Sequence, residues 1–137
     1  MKVVGFSFSK ISIEKLKNNK GQIKIGTEID VSNINPLKTD IFKGKDELIE
    51  AEFLYRVNYN PDIAKVELKG IIVFSLEPKL ARQILKEWKS KKMPEDFRIF
   101  LFNVVMKKST LKALELEDEM NLPLHIPIPS FKKSEGK

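Results

Sequence analysis

Few residues of this chain could carry out acid–base or metal chemistry, and they are scattered. There is one His, His125, and no Cys, which excludes disulfides and thiolate metal sites. His125 lies between Leu124 and Ile126, with no carboxylate cluster adjacent in sequence. Because a catalytic His needs an orienting group, we expect a structural role for His125. We expect no catalytic residue and no metal site.

The carboxylates and glycines also lack the patterns of a reaction site. The acidic run at residues 115–119, which includes Glu117, is not framed by apolar residues as a pKa-tuned pair would be, so it predicts a solvated helix face. Gly5, Gly26 and Gly70 stand alone inside strand patterns, which indicates bulges or close backbone approach instead of a phosphate-binding loop. No cofactor is expected.

Composition indicates one globular domain. The 137 residues are 42% hydrophobic and 32% charged, with a net charge of +6. No apolar run approaches the ~20 residues that span a bilayer, and the absence of Cys fits a reducing compartment, so we expect a cytoplasmic protein without membrane insertion. Much of the positive charge lies at residues 86–92 and in the tail. A solvated helix end and a frayed tail account for it, so nucleic acid is not the expected partner.

The first of four alternating segments predicts a strand from Val3 to Ile13. Alternation with a period of two marks a strand with one buried face. Val4, Phe6 and Phe8 share a face, and the apolar positions change parity past Lys10. Such a change of parity predicts a bulge or bend.

The second alternating segment follows a polar turn at residues 15–21. Its odd-numbered positions from Ile23 to Val31 are mostly apolar and its even-numbered positions mostly polar, which predicts a strand with two distinct faces. Asn33–Asp46, with Pro36 and Gly44, is predicted to be a loop.

The third and fourth segments predict a hairpin. They run over Glu47–Tyr59 and Ala64–Phe74, and the turn signal Asn60-Pro61-Asp62 separates them. Phe53 and Tyr55 fall on the apolar face of the third segment. An antiparallel sheet with one apolar face needs a cover on that face.

Two helical segments supply the cover, from Pro78 to about Lys91 and from Pro94 to about Met120. The second has one predicted core stripe, formed by Phe97, Phe100, Leu101, Val104 and Leu111. A second apolar stripe lies on nearly the opposite side of this helix, at Ile99, Phe102 and Met106. Because a helix that is apolar nearly all round is buried on both sides, something outside the protomer is expected to cover this second stripe.

The predicted fold class is α+β, a four-stranded antiparallel sheet with two C-terminal helices packed on one face. Residues 122–129 contain three prolines, so they predict an extended apolar strap over the body. The predicted organisation is one domain at residues 1–131 and a disordered basic tail at residues 132–137.

The order and sequence of these segments resemble the SecB export chaperone and its archaeal and stand-alone relatives. The matching stretches are KIGTEIDVSNI (24–34), LIEAEFLYRVNYN (48–60), IAKVELKGIIVFSL (63–76) and MNLPLHIPIPSF (120–131). The resemblance implies an ATP-independent holdase that binds unfolded or nascent polypeptides in hydrophobic grooves. It also implies assembly as a homodimer or homotetramer, and a link to protein export or to a dedicated client such as an antitoxin.

The resemblance also implies which residues line the groove. These are Phe6 and Phe8 of the first strand, Phe53 and Tyr55 of the third, and Ile99, Phe102 and Met106 of the second helix. For each of them, ordinary core or subunit interface is the alternative.

Two functions of other classes stay open. One is a structural or regulatory oligomer whose second stripe is all interface. The other is a sheet that binds RNA by base stacking. Against RNA, the polar face of the sheet has mixed charge: Lys24, Arg56, Lys65 and Lys69 oppose Glu28, Asp30, Glu50, Glu52 and Glu67.

Overall fold

The computed structural model describes residues 1–18, 21–38 and 44–134, and it has the predicted α+β architecture. The strands are β1 (Lys2–Lys15), β2 (Lys24–Leu37), β3 (Glu47–Asn60) and β4 (Ala64–Leu76), and the helices are α1 (Pro78–Trp88) and α2 (Glu95–Glu119). Residues 132–134 of the predicted tail have no regular secondary structure, and residues 135–137 lie outside the described part.

The predicted hairpin forms the centre of the sheet. The strand order is β1-β4-β3-β2, all neighbours are antiparallel, and β1 and β2 are therefore the edges. This order follows from burial, because β3 and β4 bury every inward-facing side chain whereas the edge strands are largely half-exposed. The chain between β1 and β2 must cross the width of the sheet, and residues 19 and 20 of the predicted turn lie outside the described residues.

Two bulges in β1 set which of its side chains face the helices. The predicted change of parity near Lys10 is confirmed, because the register with β4 shifts between Phe8 and Lys10. A second shift lies between Val3 and Gly5. It turns Val3 onto the core and leaves Val4 exposed, so the prediction that Val4 shares a face with Phe6 and Phe8 was wrong.

Edge strand β2 is longer than predicted because it also contains a bulge. The register with β3 shifts between Val31 and Asn33, which brings Ile34 onto the buried face. The prediction of a loop starting at Asn33 was therefore wrong as far as Leu37. Pro36 fits here because an edge strand has one side free of ladder hydrogen bonds. Residues 39–43 of the predicted loop lie outside the described residues.

A transverse row of residues crosses the sheet between two bulges, and we call this row the crease. Phe8, Gly70, Phe53 and Val31 are register partners across all four strands, and both edge strands are bulged beside this row. A Cβ atom on Gly70 would lie 2.5 Å from the carbonyl oxygen of Ser7 and 2.6 Å from the Phe53 ring. Gly70 is thus a glycine because the Phe53 ring packs directly against its backbone.

The two helices cover one face of the sheet. Helix α1 buries Ala81 and Ile84. It ends at Trp88, before the predicted Lys91, because Lys91 has a positive φ of 58°. Helix α2 faces the sheet through residues spaced four apart: Phe97, Leu101, Val105, Ser109, Ala113 and Glu117. This spacing exceeds 3.6, so the contact line drifts around the helix, and Leu111, predicted in the core, is 62% exposed.

We expect Gly70→Ala to destabilise the fold by about 2–3 kcal/mol, since the added methyl group must displace both the β1 backbone and the Phe53 ring. Urea denaturation gives the free energy of unfolding. Gly26→Ala is the matched control, because a Cβ atom at Gly26 meets nothing within 4 Å. Equal losses of unfolding free energy for the two substitutions would contradict the claim that close contacts require glycine at position 70.

Candidate functional site

An aromatic cluster lies on the helix side of the crease. The rings of Phe6 and Phe53 stack with centroids 5.4 Å apart, and Phe8 packs edge-on against Phe6 at 5.1 Å and against Phe53 at 6.2 Å. Phe53 is buried, whereas Phe6 and Phe8 are half-buried because β1 is an edge strand. The Lys108 ammonium of α2 lies 5.8 Å from the Phe6 ring centroid. The structure thus brings three of the predicted groove residues together.

On the other side of α2, a groove of about 380 Å³ opens between the helices and β2. The apolar part of its lining is Val31, Trp88, Met93 and Phe102. Val31 is the register partner of Phe53, so the groove meets the crease row at its β2 end. Its polar lining includes Lys91, which lies 4.6 Å over the Trp88 ring, and Asp30.

The second apolar stripe of α2 borders this groove. Phe102 lines it and is half-buried, while Ile99 and Met106 are 47% and 44% exposed. On a helical wheel Ile99 lies opposite its sheet-facing neighbours Phe97 and Leu101, whereas Phe102 and Met106 lie about a quarter turn from theirs. Two large side chains are therefore presented to solvent beside an apolar groove.

Tyr55, the remaining predicted groove residue, is fully buried in a polar network. Its hydroxyl lies 2.7 Å from Nε2 of His125 and 3.2 Å from Oγ1 of Thr110. Nδ1 of His125 lies 2.9 Å and 2.8 Å from the two carboxylate oxygens of Glu117, and the His125 backbone N–H donates to the same carboxylate at 3.0 Å. Because Nδ1 faces a carboxylate, which can only accept, it donates to Glu117, and Nε2 faces the Tyr55 hydroxyl.

This network anchors the C-terminal strap. Tyr59 adds to it by donating to the Pro123 carbonyl at 2.5 Å, and Leu122 packs on the core. From Ile126 onward the strap is exposed, so the prediction of a strap over the body is confirmed only as far as His125. Burial, with the nearby Glu117 carboxylate, raises the pKa of both Tyr55 and Tyr59.

Glu117 is the main residue that sequence reasoning misplaced. It was predicted on a solvated helix face, yet it is fully buried opposite His125. Its place on the sheet-facing side of α2, four residues after Ala113 in the buried series, was the signal that could have identified it. The charged neighbours Asp118 and Glu119 hid that signal.

The outer face of the sheet has a separate charge cluster around Glu67. This side chain is only 7% exposed, and its carboxylate lies 2.7 Å from the Lys10 ammonium, 3.0 Å from Lys65 and 3.3 Å from Arg56. The hydrogen bonds from Lys10 and Lys65 lower the pKa of Glu67 from 4.5 to about 2. Arg56 also pairs with Glu28 at 3.0 Å. Most of the cations on this face are therefore already partnered.

Two further structural findings concern metals and membranes. In residues 1–18, 21–38 and 44–134, no three His, Asp or Glu side chains group together as metal ligands. Neither α1 nor α2 is both long and apolar enough to cross a membrane.

Comparison with known proteins gives a match in structure only. No protein-family model matches the sequence, and no curated protein matches it significantly. Among solved structures, the SecB-like chaperone Rv1957 of Mycobacterium tuberculosis, in complex with a ChAD peptide from the Rv1956 HigA1 antitoxin, matches with a TM-score of 0.54. The two sequences are 11% identical over 96% of this chain and 92% of that chain. This chain therefore has a SecB-like fold.

We expect His125→Ala to destabilise the protein by about 3 kcal/mol, because the buried Glu117 carboxylate loses the imidazole and the Tyr55 hydroxyl loses the shorter of its two hydrogen bonds. Urea denaturation measures the loss, and limited proteolysis should cut the released strap. Ile126→Ala, at an exposed position of the same strap, is the control and should cost less than about 0.5 kcal/mol. A similar small loss for both variants would show that the network does not hold the strap.

We expect Glu67→Gln to destabilise the protein at pH 7 by about 1–2 kcal/mol. This loss of unfolding free energy is smaller than the pKa shift alone implies, because Lys10 and Lys65 are half-exposed and solvent screens their charges. A lowered folded-state pKa stabilises the fold fully above pH 4.5, and this contribution is lost as pH falls through about 2. The difference between variant and parent should shrink over that window in a series of urea titrations. Glu28→Gln, on a more exposed carboxylate, should have a smaller effect at every pH.

Proposed function

We propose that this protein is an ATP-independent holdase that binds unfolded or nascent polypeptides. The observation that carries the proposal is the half-exposed apolar stripe of Ile99 and Met106 beside the Phe102 groove, on a SecB-like fold. The solved neighbour is a chaperone in complex with an antitoxin peptide, which supports a polypeptide as the bound partner. A dedicated client, such as an antitoxin, is the specific form we favour over general export.

The physical requirements of a holdase are modest. It needs exposed apolar surface to bind clients, and a charged exterior to stay in solution. The half-buried Phe6 and Phe8 offer a second apolar patch on the other side of α2. No step of holding requires a catalytic group, so the proposal is compatible with the expectation that the chain carries no catalytic residue.

The bound client is an extended chain in this proposal. Edge strand β2 borders the groove, and its outer side pairs with no other strand among the described residues, so a client can add main-chain hydrogen bonds there. Its side chains would contact Phe102 and the exposed stripe. Tyr55 is excluded from direct contact while the strap is anchored, and we assign it to support of the groove floor.

An oligomeric structural protein is the second candidate. The observation in its favour is the edge of β1, where Val4 and Ile11 are exposed apolar residues on a strand whose outer side pairs with no other strand among the described residues. A homodimer or homotetramer formed through this edge is compatible with holding, because the groove beside β2 lies at the opposite edge of the sheet. The RNA-binding alternative is disfavoured, because Glu67 already neutralises cations on the open sheet face.

Ile99→Asp/Met106→Asp should abolish holding. Both side chains are about half exposed, so the double variant should fold. Because the two aspartates put charge on the apolar stripe, the variant should bind clients at least about tenfold more weakly than the parent protein. The measurement is suppression of aggregation of several chemically unfolded clients without ATP, with the native mass determined in parallel.

The matched control is Leu111→Asp, an exposed apolar residue on another flank of α2, which should hold clients like the parent. If the double variant loses holding at unchanged native mass, the stripe binds clients. If the native mass of the double variant falls to that of a smaller assembly, the stripe is a subunit interface. A parent protein that slows the aggregation of none of the clients would refute the proposed function.

A further inference from the structure

The positive charge of the chain is concentrated in helix α1 and the residues just after it. Residues 78–92 contain six cations and one carboxylate, Glu87, a net charge of +5 out of +6 for the whole chain. Four of the cations, Lys79, Arg82, Lys86 and Lys89, recur three or four residues apart. Because this spacing keeps them on one side of a helix, they form a basic stripe about 15 Å long.

This basic stripe faces away from the body of the protein. Helix α1 packs on the sheet through Ala81 and Ile84, which lie on the opposite side of the helical wheel. All four side chains of the stripe are exposed. Throughout the part of the chain that the structure describes, none of them lies within 4.0 Å of a carboxylate oxygen.

The stripe works against the stability of α1. Like charges three or four residues apart repel each other. Lys79 lies in the first turn, where the helix dipole favours acidic residues, and α1 has none there, whereas α2 starts with Glu95 and Asp96. Only Lys86 and Lys89, at the C-terminal end, are placed favourably. A locally unfavourable arrangement of this kind is expected where a partner uses it.

The stripe leads into the groove. Trp88 and Lys91, at the end of α1, both line it, and the Lys91 ammonium stacks on the Trp88 ring at 4.6 Å. A chain bound in the groove can therefore continue along α1. Among the described residues that line the groove, Asp30 is the one acidic side chain, and its carboxylate accepts a hydrogen bond from the Val31 backbone N–H at 2.9 Å.

We propose that the basic stripe selects clients in which an acidic segment flanks an apolar one. The apolar residues contact the groove beside Phe102, and the Asp and Glu residues lie along Lys79, Arg82, Lys86 and Lys89. This inference rests on the proposed holdase function and adds to it a class of client. A polypeptide fits better than a membrane, since Gln83 and Ser90 on the same side of α1 are polar and offer no apolar flank for insertion. It fits better than a nucleic acid, since most of the side chains that line the adjoining groove are apolar: Val31, Trp88, Met93 and Phe102.

The test uses the full-length protein and three fluorescent 20-residue peptides that share one apolar centre. Their flanks are acidic, basic, or neutral Ser/Gly. Fluorescence anisotropy at low salt should show that the acidic peptide binds about tenfold more tightly than the basic one, the size that several screened ion pairs give together. The preference should shrink at high salt, because exposed charges are screened.

A charge reversal identifies the residues responsible. The quadruple variant Lys79→Glu/Arg82→Glu/Lys86→Glu/Lys89→Glu should bind the basic peptide more tightly than the acidic one. Its affinity for the neutral peptide should equal that of the parent protein. The matched control reverses the same number of exposed lysines elsewhere, at Lys15, Lys17, Lys132 and Lys133, and should keep the parent's order.

Each remaining outcome contradicts the inference in a distinguishable way. Equal binding of the three peptides, with aggregation still suppressed, leaves the holdase function intact and removes the selectivity. Loss of the acidic preference in the control variant assigns the effect to net charge alone. If no peptide binds and no client is held, the proposed function fails as well. Tighter binding of a single-stranded RNA, or of vesicles with anionic headgroups, than of the acidic peptide would assign the stripe to that partner.

Discussion

The contact between Gly70 and the Phe53 ring is the constraint on which the rest of the sheet depends. Because the Phe53 ring occupies the space that a Cβ atom would need, only glycine fits at position 70, in the middle of the transverse row. The edge strands meet this row with a bulge each, beside Phe8 and beside Val31. A bulge bends its strand and increases the local twist. The sheet that α2 crosses is therefore twisted, which agrees with the drift of its buried residues around the helix from Phe97 to Glu117.

That drift explains why the space over Tyr55 is closed at one end of α2, whereas apolar side chains are exposed to solvent near the other end. At the far end of α2, Thr110 and Glu117 point at the sheet and, with His125, close the space over Tyr55. Near the crease the helix has turned, so Phe102 points sideways to the groove, and Ile99 and Met106 stay exposed. The polar anchor and the apolar opening are thus two consequences of one helix laid on a twisted sheet.

Local patterns predicted much of this fold, and long-range pairings account for what they missed. Alternation identified the strands, the Asn60-Pro61-Asp62 signal identified the hairpin, and apolar spacing identified both helices, because each depends on neighbours in sequence. The bulge in β2 was missed because a change of parity at Asn33 looks like the end of a strand. Glu117 was misplaced because its partner, His125, lies beyond the end of the helix. Parity placed Phe6 and Phe8 on one face, and only the resemblance to SecB grouped them with Phe53. The sheet order, with β1 next to β4, explains how Phe6 reaches Phe53 across Gly70.

The two basic regions of the surface differ in a way that composition alone hides. On the outer sheet face, Lys10, Lys65 and Arg56 converge on one buried carboxylate, so their charge is used within the fold. Along α1, four cations at similar density have no such partner among the described residues. Intramolecular pairs stabilise the native state whatever else is present, whereas unpaired like charges on one helix face stabilise it only when an acidic partner is bound. The net charge of +6 thus corresponds mainly to the α1 surface, and a salt-dependent interaction of this protein should depend on α1 and not on the sheet.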